Sequence, residues 1–225
     1  MGCRVATNAG RYGKSGLSKP VIGLSGGVGS GKSAAARAMA ARGCGIVDSD
    51  ALASAALAEP TVVERVREWW GAGVVDGAGQ IDRRAVAQIV FNRPDELAKL
   101  EGLVHPVVRA ARLRRRVELD GDPEVTAIVE DCPLLFEKRI DATCDVTVFV
   151  DAPREARAAR VAAARGWPAE ELERREKNQW PLDTKRGAAD YVVYNDAGEA
   201  ELQAQVDRVL SEVLPPTLPR PAKPL

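Results

Sequence analysis

Short apolar runs recur along the chain at residues 21–24, 45–47, 125–129, 146–150 and 191–194, each rich in β-branched residues and flanked by polar or glycine-bearing stretches. Runs this short and this continuous predict strands buried on both faces. Between them the apolar positions spread to three- and four-residue spacing, which predicts helices. Residues 33–42 are one such stretch, rich in alanine, and Gly43 stands where that helix must stop. Strands alternating with helices predict an α/β fold, a parallel sheet covered by helices on both faces. In such sheets ligands gather beyond the carboxyl ends of the strands.

The alternation is uneven. From residue 50 to residue 125 no strand pattern occurs, only the helical patterns "TVVERVREWWG", "RRAVAQIVF", "DELAKLEGLV" and "PVVRAARLRRRVEL". A second helical excursion runs from about 153 to 186, between the last two strand runs. The expected organisation is one α/β core over 20–213 with helical insertions at about 59–123 and 153–186. Residues 1–19 lack periodicity and predict a flexible extension. Residues 214–225 carry five prolines and can be neither helix nor central strand.

Composition narrows the class without choosing a function. Of 225 residues, 45% are hydrophobic, enough for a substantial core, and 32 basic residues balance 32 acidic ones. No global field draws the chain to nucleic acid or to an anionic membrane. No apolar stretch approaches the ~20 residues of a membrane span. The first residues contain no apolar signal segment, and Ala6 breaks the myristoylation pattern that Met1-Gly2 begins. Cys3, Cys44, Cys132 and Cys144 lie far apart, which predicts buried reduced thiols in a cytoplasmic protein rather than a disulfide or metal framework.

The segment joining the first strand run to the alanine-rich helix is "GLSGGVGSGKSAAA". Here Gly26, Gly27, Val28, Gly29, Ser30, Gly31, Lys32 and Ser33, with Ala34 following, satisfy the phosphate-loop pattern G-x-x-x-x-G-K-[ST]. Glycines let successive backbone N–H groups converge on a phosphate, and the helix adds its positive end. Lys32 is placed to reach the β and γ phosphates and Ser33 to ligate Mg²⁺. Gly29-x-Gly31-x-x-Ala34 also fits a dinucleotide fingerprint, with Asp48 or Asp50 downstream. That reading is weaker, because residues 25–28 separate the strand from its first glycine and Lys32 occupies a close-packing position. A guanine-nucleotide switch is weaker still. Asp76-Gly77-Ala78-Gly79 lies among helical patterns, and N-K-x-D occurs nowhere.

Acids follow two of the strands. Asp48-Ser49-Asp50 ends the second, where a carboxylate can accept a proton from an attacking hydroxyl; Ser49 or Asp50 would equally serve as a helix cap. Glu130 and Asp131 end the third, a position suited to orienting Mg²⁺. The single histidine, His105, precedes Pro106 and Arg109. The run from Arg112 through Arg114, Arg115 and Arg116 reads as a solvated helix face, and Trp69 and Trp70 as core or an apolar groove.

Together "IGLSGGVGSGKS", "VDSDALA", "GQIDRRAVAQIVF", "LEGLVHPVVR", "EDCPLLFE" and "NQWPLDTKRGAADYVVYND" resemble the dephospho-coenzyme A kinase family over about 20–213. The resemblance implies a three-layer P-loop NTPase core, a helical acceptor-binding insertion and a helical lid. It implies phosphoryl transfer from ATP, with Mg²⁺, to the ribose 3′-hydroxyl of dephospho-coenzyme A; a P-loop kinase for another nucleotide-like acceptor is the alternative. The family's base matches Asp50, with Asp48 beside it to position substrate. His105 and Arg109 fall on the acceptor side. Ser33 and Asp131 are the expected metal contacts. Arg160 and Arg165 are the lid candidates for the transferring phosphoryl group, their separation one residue longer than the family pattern. Cys132 and Ala34 stand where valine and threonine are commoner. Partners are expected to be small molecules alone, with a monomer or weak oligomer.

Overall fold

The computed structural model describes residues 13–91 and 93–214. The chain divides into two compact units, one built from residues up to Val47 and from Val117 onward, the other from Asp48 to Arg116.

The first unit is a five-stranded sheet of β1 (Val21–Gly26), β2 (Cys44–Asp48), β3 (Ala127–Asp131), β4 (Val146–Asp151) and β5 (Tyr191–Tyr194), in spatial order β2-β3-β1-β4-β5. It is a parallel sheet flanked by helices. Leu24 pairs with Asp131, and Gly26 with Val150, so the carboxyl ends of β1, β3 and β4 come level along one edge. The three central strands are buried at every position, which is why they read as continuous apolar runs. Helices α1 (Lys32–Ala40) and α9 (Glu199–Val213) supply the main core: Met39, Val206, Val209 and Leu210 pack with Ile22, Leu24, Val148 and Val150. Each such Leu or Ile contributes about 2–5 kcal/mol against truncation to alanine.

Two expectations change here. Residues 13–19 are held to the core. Asp145 Oδ1 accepts the backbone N–H of Gly13 and Lys14 at 3.0 Å, and Asp145 Oδ2 accepts Val21 N–H at 2.8 Å. Asp120 accepts the N–H of Lys19 at 2.8 Å and the Ser18 hydroxyl at 2.8 Å. Lys19 Nζ donates to the carbonyls of Leu119 and Asp120 at 2.9 and 2.7 Å. These are last-turn carbonyls of α5 (Pro94–Gly121), and a cation there satisfies orphan acceptors and meets the negative helix end. The absence of periodicity in this stretch reflected side-chain-to-backbone anchoring, which leaves no apolar rhythm. The rest of the extension, 1–12, and residues 215–225 of the proline-rich tail lie outside the described residues. The arginine run is also not uniformly solvated: Arg114 and Arg115 are exposed, but Arg116 is 3% exposed. A helix repeats its inward face every three to four residues, so part of any such run turns inward.

Cys44, Cys132 and Cys144 are buried and free, and burial pushes the Cys44 thiol up to about 12. Cys3 lies outside the described residues.

The second unit is helical, as its patterns require: α2 (Ser49–Ala56), α3 (Pro60–Trp70), α4 (Arg83–Val90) and most of α5. Val62, Val66, Val74, Ile81 and Val86 form its core, with Leu100, Leu103 and Val107 packed against them. The turn at Asp76 is closed by its carboxylate, which accepts Ala78 and Gln80 N–H at 2.9 Å each. Trp69 and Trp70 are half-buried. Trp70 Nε1 donates to Glu96 at 2.9 Å, and the Lys99 ammonium lies 4.4 Å from the Trp69 ring. Among the described residues no helix is long and apolar enough to cross a membrane.

Candidate active site

The glycine loop leaves the buried end of β1 and enters α1. Gly29 and Gly31 take φ of +75° and +92°, which side-chain-bearing residues rarely adopt. Space forbids a side chain at Gly31 as well: a Cβ there would stand 1.9 Å from Asn195 Nδ2. Ser30 N–H closes a turn onto Gly27 O at 3.0 Å. Gly31 is the N-cap of α1 and supplies no side-chain acceptor, so the first amides of the helix lack the usual cap.

The loop's carbonyls are held from behind. Asn195 Nδ2 donates to Ser30 O at 2.8 Å. Arg160 donates to Ser30 O at 3.2 Å, to Gly29 O at 3.4 Å and to Asn195 O at 2.8 Å. Arg157, 5% exposed, donates to Val28 O at 3.4 Å and Ala152 O at 3.2 Å and pairs with Glu176. In a trans peptide the N–H points opposite to its C=O. Tying down the carbonyls of Val28 and Ser30 therefore turns the N–H groups of Gly29 and Gly31 the other way. The result is a concave array of donors at a positive helix end, suited to an anion.

Lys32 forms an ion pair with Asp131, both largely buried. Register explains the choice of acid. Asp131 lies beside Leu24 at the end of β3, while Glu130, fully buried, sits one position back and on the opposite face. Ser33 is exposed in the first turn of α1 and Ala34 is half-buried. No group of three or more His, Cys, Asp or Glu could hold a metal among the described residues. One hydroxyl and one carboxylate would suffice for an ion such as Mg²⁺, which keeps waters and shares oxygens with phosphates.

The segment between β4 and β5 holds α6 (Arg154–Arg165), α7 (Ala169–Glu176) and α8 (Leu182–Ala188). The two arginines singled out from sequence part company here. Arg160 is brought to the glycine loop. Arg165 is exposed, its guanidinium 4.6 Å from the Trp167 ring, which also carries Arg175 at 4.0 Å. Arg174 and Arg175 both bond Glu171, holding its carboxyl down at about 2. Arg186 joins Asp151 at 2.8 Å and Asp183 at 2.7 Å.

Within the second unit, Asp48 is the N-cap of α2: its Oδ1 accepts Asp50 and Ala51 N–H at 2.9 Å each. The cap is thus Asp48, where the sequence offered Ser49 or Asp50. Asp50 rides exposed in the first turn, its side chain outside the cap. His105 and Arg109 are one turn apart and exposed on α5, with His105 Nε2 3.7 Å from Glu101.

Sequence reasoning missed Arg157, Lys185 and Arg186 and gave Asn195 only a position after the last strand. Their decisive partners, Val28, Pro133, Asp151 and Ser30, lie far along the chain, so even the quoted segment that holds Lys185, Arg186 and Asn195 does not show what they touch.

The dephospho-CoA kinase (CoaE) family model matches residues 20–201. A dephospho-CoA kinase of Parasynechococcus marenigrum is 37% identical over 187 residues, covering 83% of this chain and 93% of that protein. One from Thermobifida fusca is 37% identical over 196 residues, 85% and 95% of the two chains. The solved structure of TT1252 from Thermus thermophilus superposes with a TM-score of 0.76 at 35% identity, over 88% of this chain and 99% of its own. A dephospho-CoA kinase from Campylobacter jejuni shares the fold, with a TM-score of 0.63 at 20% identity.

Proposed function

The chain belongs to the dephospho-CoA kinase family, and from that premise we propose that it transfers the γ-phosphoryl group of ATP to the ribose 3′-hydroxyl of dephospho-coenzyme A, the closing step of coenzyme A synthesis. The observation that carries the chemistry is the glycine loop with its carbonyls tied back and Lys32 held on Asp131.

Phosphoryl transfer depends on position and on charge neutralisation more than on covalent chemistry. The amides of residues 26–32 cradle the phosphates, and Lys32 exchanges Asp131 for the β and γ oxygens. Ser33 and Asp131 would hold Mg²⁺, which would supply positive charge against the phosphates. Asp50 accepts the proton of the attacking hydroxyl, and Asp48 positions the acceptor through the oxygen its cap leaves unused. His105 and Arg109, in the helical insertion at about 59–123, bind the acceptor. The segment at about 153–186 is the lid: Arg165 leaves Trp167 to meet the transferring group, and closure keeps water from taking it. Arg160 acts from behind, holding the loop in shape.

The test is coupled ADP release with ATP, Mg²⁺ and dephospho-coenzyme A, beside a no-acceptor control and Asp50→Asn. Turnover should require the acceptor and fall about 10²–10⁴-fold in the variant, with ATP affinity unchanged. Turnover in Asp50→Asn within a factor of a few of the parent removes Asp50 from the role of base. A stronger preference for another nucleotide-like acceptor replaces the substrate and leaves the kinase.

A further inference from the structure

Lys185 is a lysine with no exposed surface, and the chemistry above makes no use of it. A buried ammonium is costly unless every donor finds a partner. Here three acceptors surround it: Pro133 O at 3.0 Å, Gln179 Oε1 at 3.0 Å and Glu137 Oε1 at 2.7 Å. Glu137 Oε1 also accepts Trp180 N–H at 2.8 Å, and the rings of Phe136 and Trp180 stack at 6.5 Å. These contacts join two segments. One is the turn that leaves β3 directly after Asp131; the other is the stretch that returns from α7 into α8. The Ser25 hydroxyl, at the end of β1, reaches the same Pro133 carbonyl at 3.4 Å. The pair is also one-sided, because Glu137 Oε2 is enclosed with no hydrogen-bond partner. An ion pair serving stability alone gains by satisfying both oxygens, and well-packed apolar residues often serve stability as well.

We propose that Lys185 is a positioning residue for the reaction: by clamping Pro133 and Glu137 it fixes the turn behind Asp131, and so sets where that carboxylate stands for Lys32 and Mg²⁺. The clamp passes the position of the lid's returning end to the acid at the end of β3. This rests on the reading of Asp131 as a metal contact.

The test compares Lys185→Met, Lys185→Arg and the double variant Lys185→Met/Glu137→Gln, which removes both charges and keeps an acceptor for Trp180 N–H. Three quantities are read: Tm, the dissociation constant of ADP with and without Mg²⁺, and kcat. Lys185→Met should lower Tm, since it strands a buried carboxylate. The double variant should recover most of that Tm. Its Mg²⁺-dependent tightening of ADP, and its kcat, should stay about ten- to a hundredfold below the parent, the usual cost of losing support behind a metal ligand. ADP affinity without Mg²⁺ should not move. Lys185→Arg should keep part of the Mg²⁺ response. Recovery of Tm, Mg²⁺ response and kcat together in the double variant overturns the proposal and leaves Lys185 a structural residue. A parent chain whose ADP affinity ignores Mg²⁺ overturns it through its premise. Acceptor-dependent turnover of that same parent sample then decides separately whether the kinase reading stands.

Discussion

Around the glycine loop, function is carried by backbone, with Asn195, Arg160 and Arg157 holding carbonyls from behind. On the helices to which acceptor binding is proposed it would be carried by side chains, with Asp50, His105 and Arg109 exposed. The first arrangement is shaped before any ligand arrives, so binding there costs little reorganisation. The second can be altered one residue at a time with little effect on folding, because exposed substitutions away from caps and cores usually stay within about 0.5 kcal/mol. The nucleotide loop is thus preorganised, whereas the proposed acceptor contacts can be changed with little cost to the fold.

Gly31→Ala should break the backbone-built half most completely. It places a Cβ 1.9 Å from Asn195 Nδ2 at a φ of +92°, so Asn195 must leave Ser30 O and the loop must reshape. The φ alone costs about 1–2 kcal/mol. ATP binding by calorimetry should disappear, along with turnover. An alanine variant that binds ATP normally shows that the loop is not held in the rigid form described.

The next contrast lies within the segment proposed as a lid, between two arginines of one helix. Arg160→Met removes the donors to Gly29 O, Ser30 O and Asn195 O, and should weaken ATP binding about tenfold or more, as loss of charge-assisted bonds to the loop predicts. Arg165→Met breaks only a stack on Trp167. It should leave ATP affinity unchanged and lower kcat alone, about 10²-fold or more if Arg165 meets the transferring group. Equal losses of affinity in both variants erase the distinction.

That distinction was not legible in the sequence, and the reason is physical. The central strands were readable because burial on both faces writes the same apolar run wherever it occurs, and the glycine loop because its residues are consecutive. Arg157 meets Val28 across 129 residues, and Lys185 meets Pro133 across 52. Such pairs depend on how strands are ordered in the sheet, which no local pattern encodes. Arg160 and Arg165 look alike in the sequence, and only packing puts one behind the loop and the other on an indole. Asp48 shows the converse failure. The sequence offered Ser49 or Asp50 as the helix cap, yet a strand running straight into a helix takes its cap from the junction itself, and Asp48 is the residue there.

Asp48 therefore tests whether a residue of the side-chain-built half has one duty or two. Asp48→Ala should lower stability by about 1 kcal/mol through loss of the cap. Asp48→Asn keeps the cap, since asparagine caps as well as aspartate. Tm should be preserved in Asp48→Asn, and the Michaelis constant for dephospho-coenzyme A should rise if the charge positions the acceptor. An unchanged constant confines Asp48 to capping.

The smallest effect belongs to the anchoring of residues 13–19, where carboxylates gather backbone N–H groups within the unit that carries the loop. Burial alone would raise the Asp120 carboxyl, but the N–H of Lys19 and the bonds from Ser18 outweigh it and hold the group below the ordinary carboxylate range. A folded-state value below the unfolded one means a contribution to stability that is full above about pH 4, the unfolded value, and fades as pH falls through the folded value. Asp120→Asn keeps the outline of the side chain and the acceptor for Ser18 Oγ and Lys19 N–H, and removes the charge together with the oxygen that accepts Ser18 N–H. Its Tm should lie slightly below that of the parent at pH 7, and the two should converge as the pH is lowered beneath 4. A gap that persists unchanged in acid assigns the anchoring to shape, with no part for charge. Turnover should not respond in either case, because this carboxylate holds only the chain leading into β1 and the end of α5.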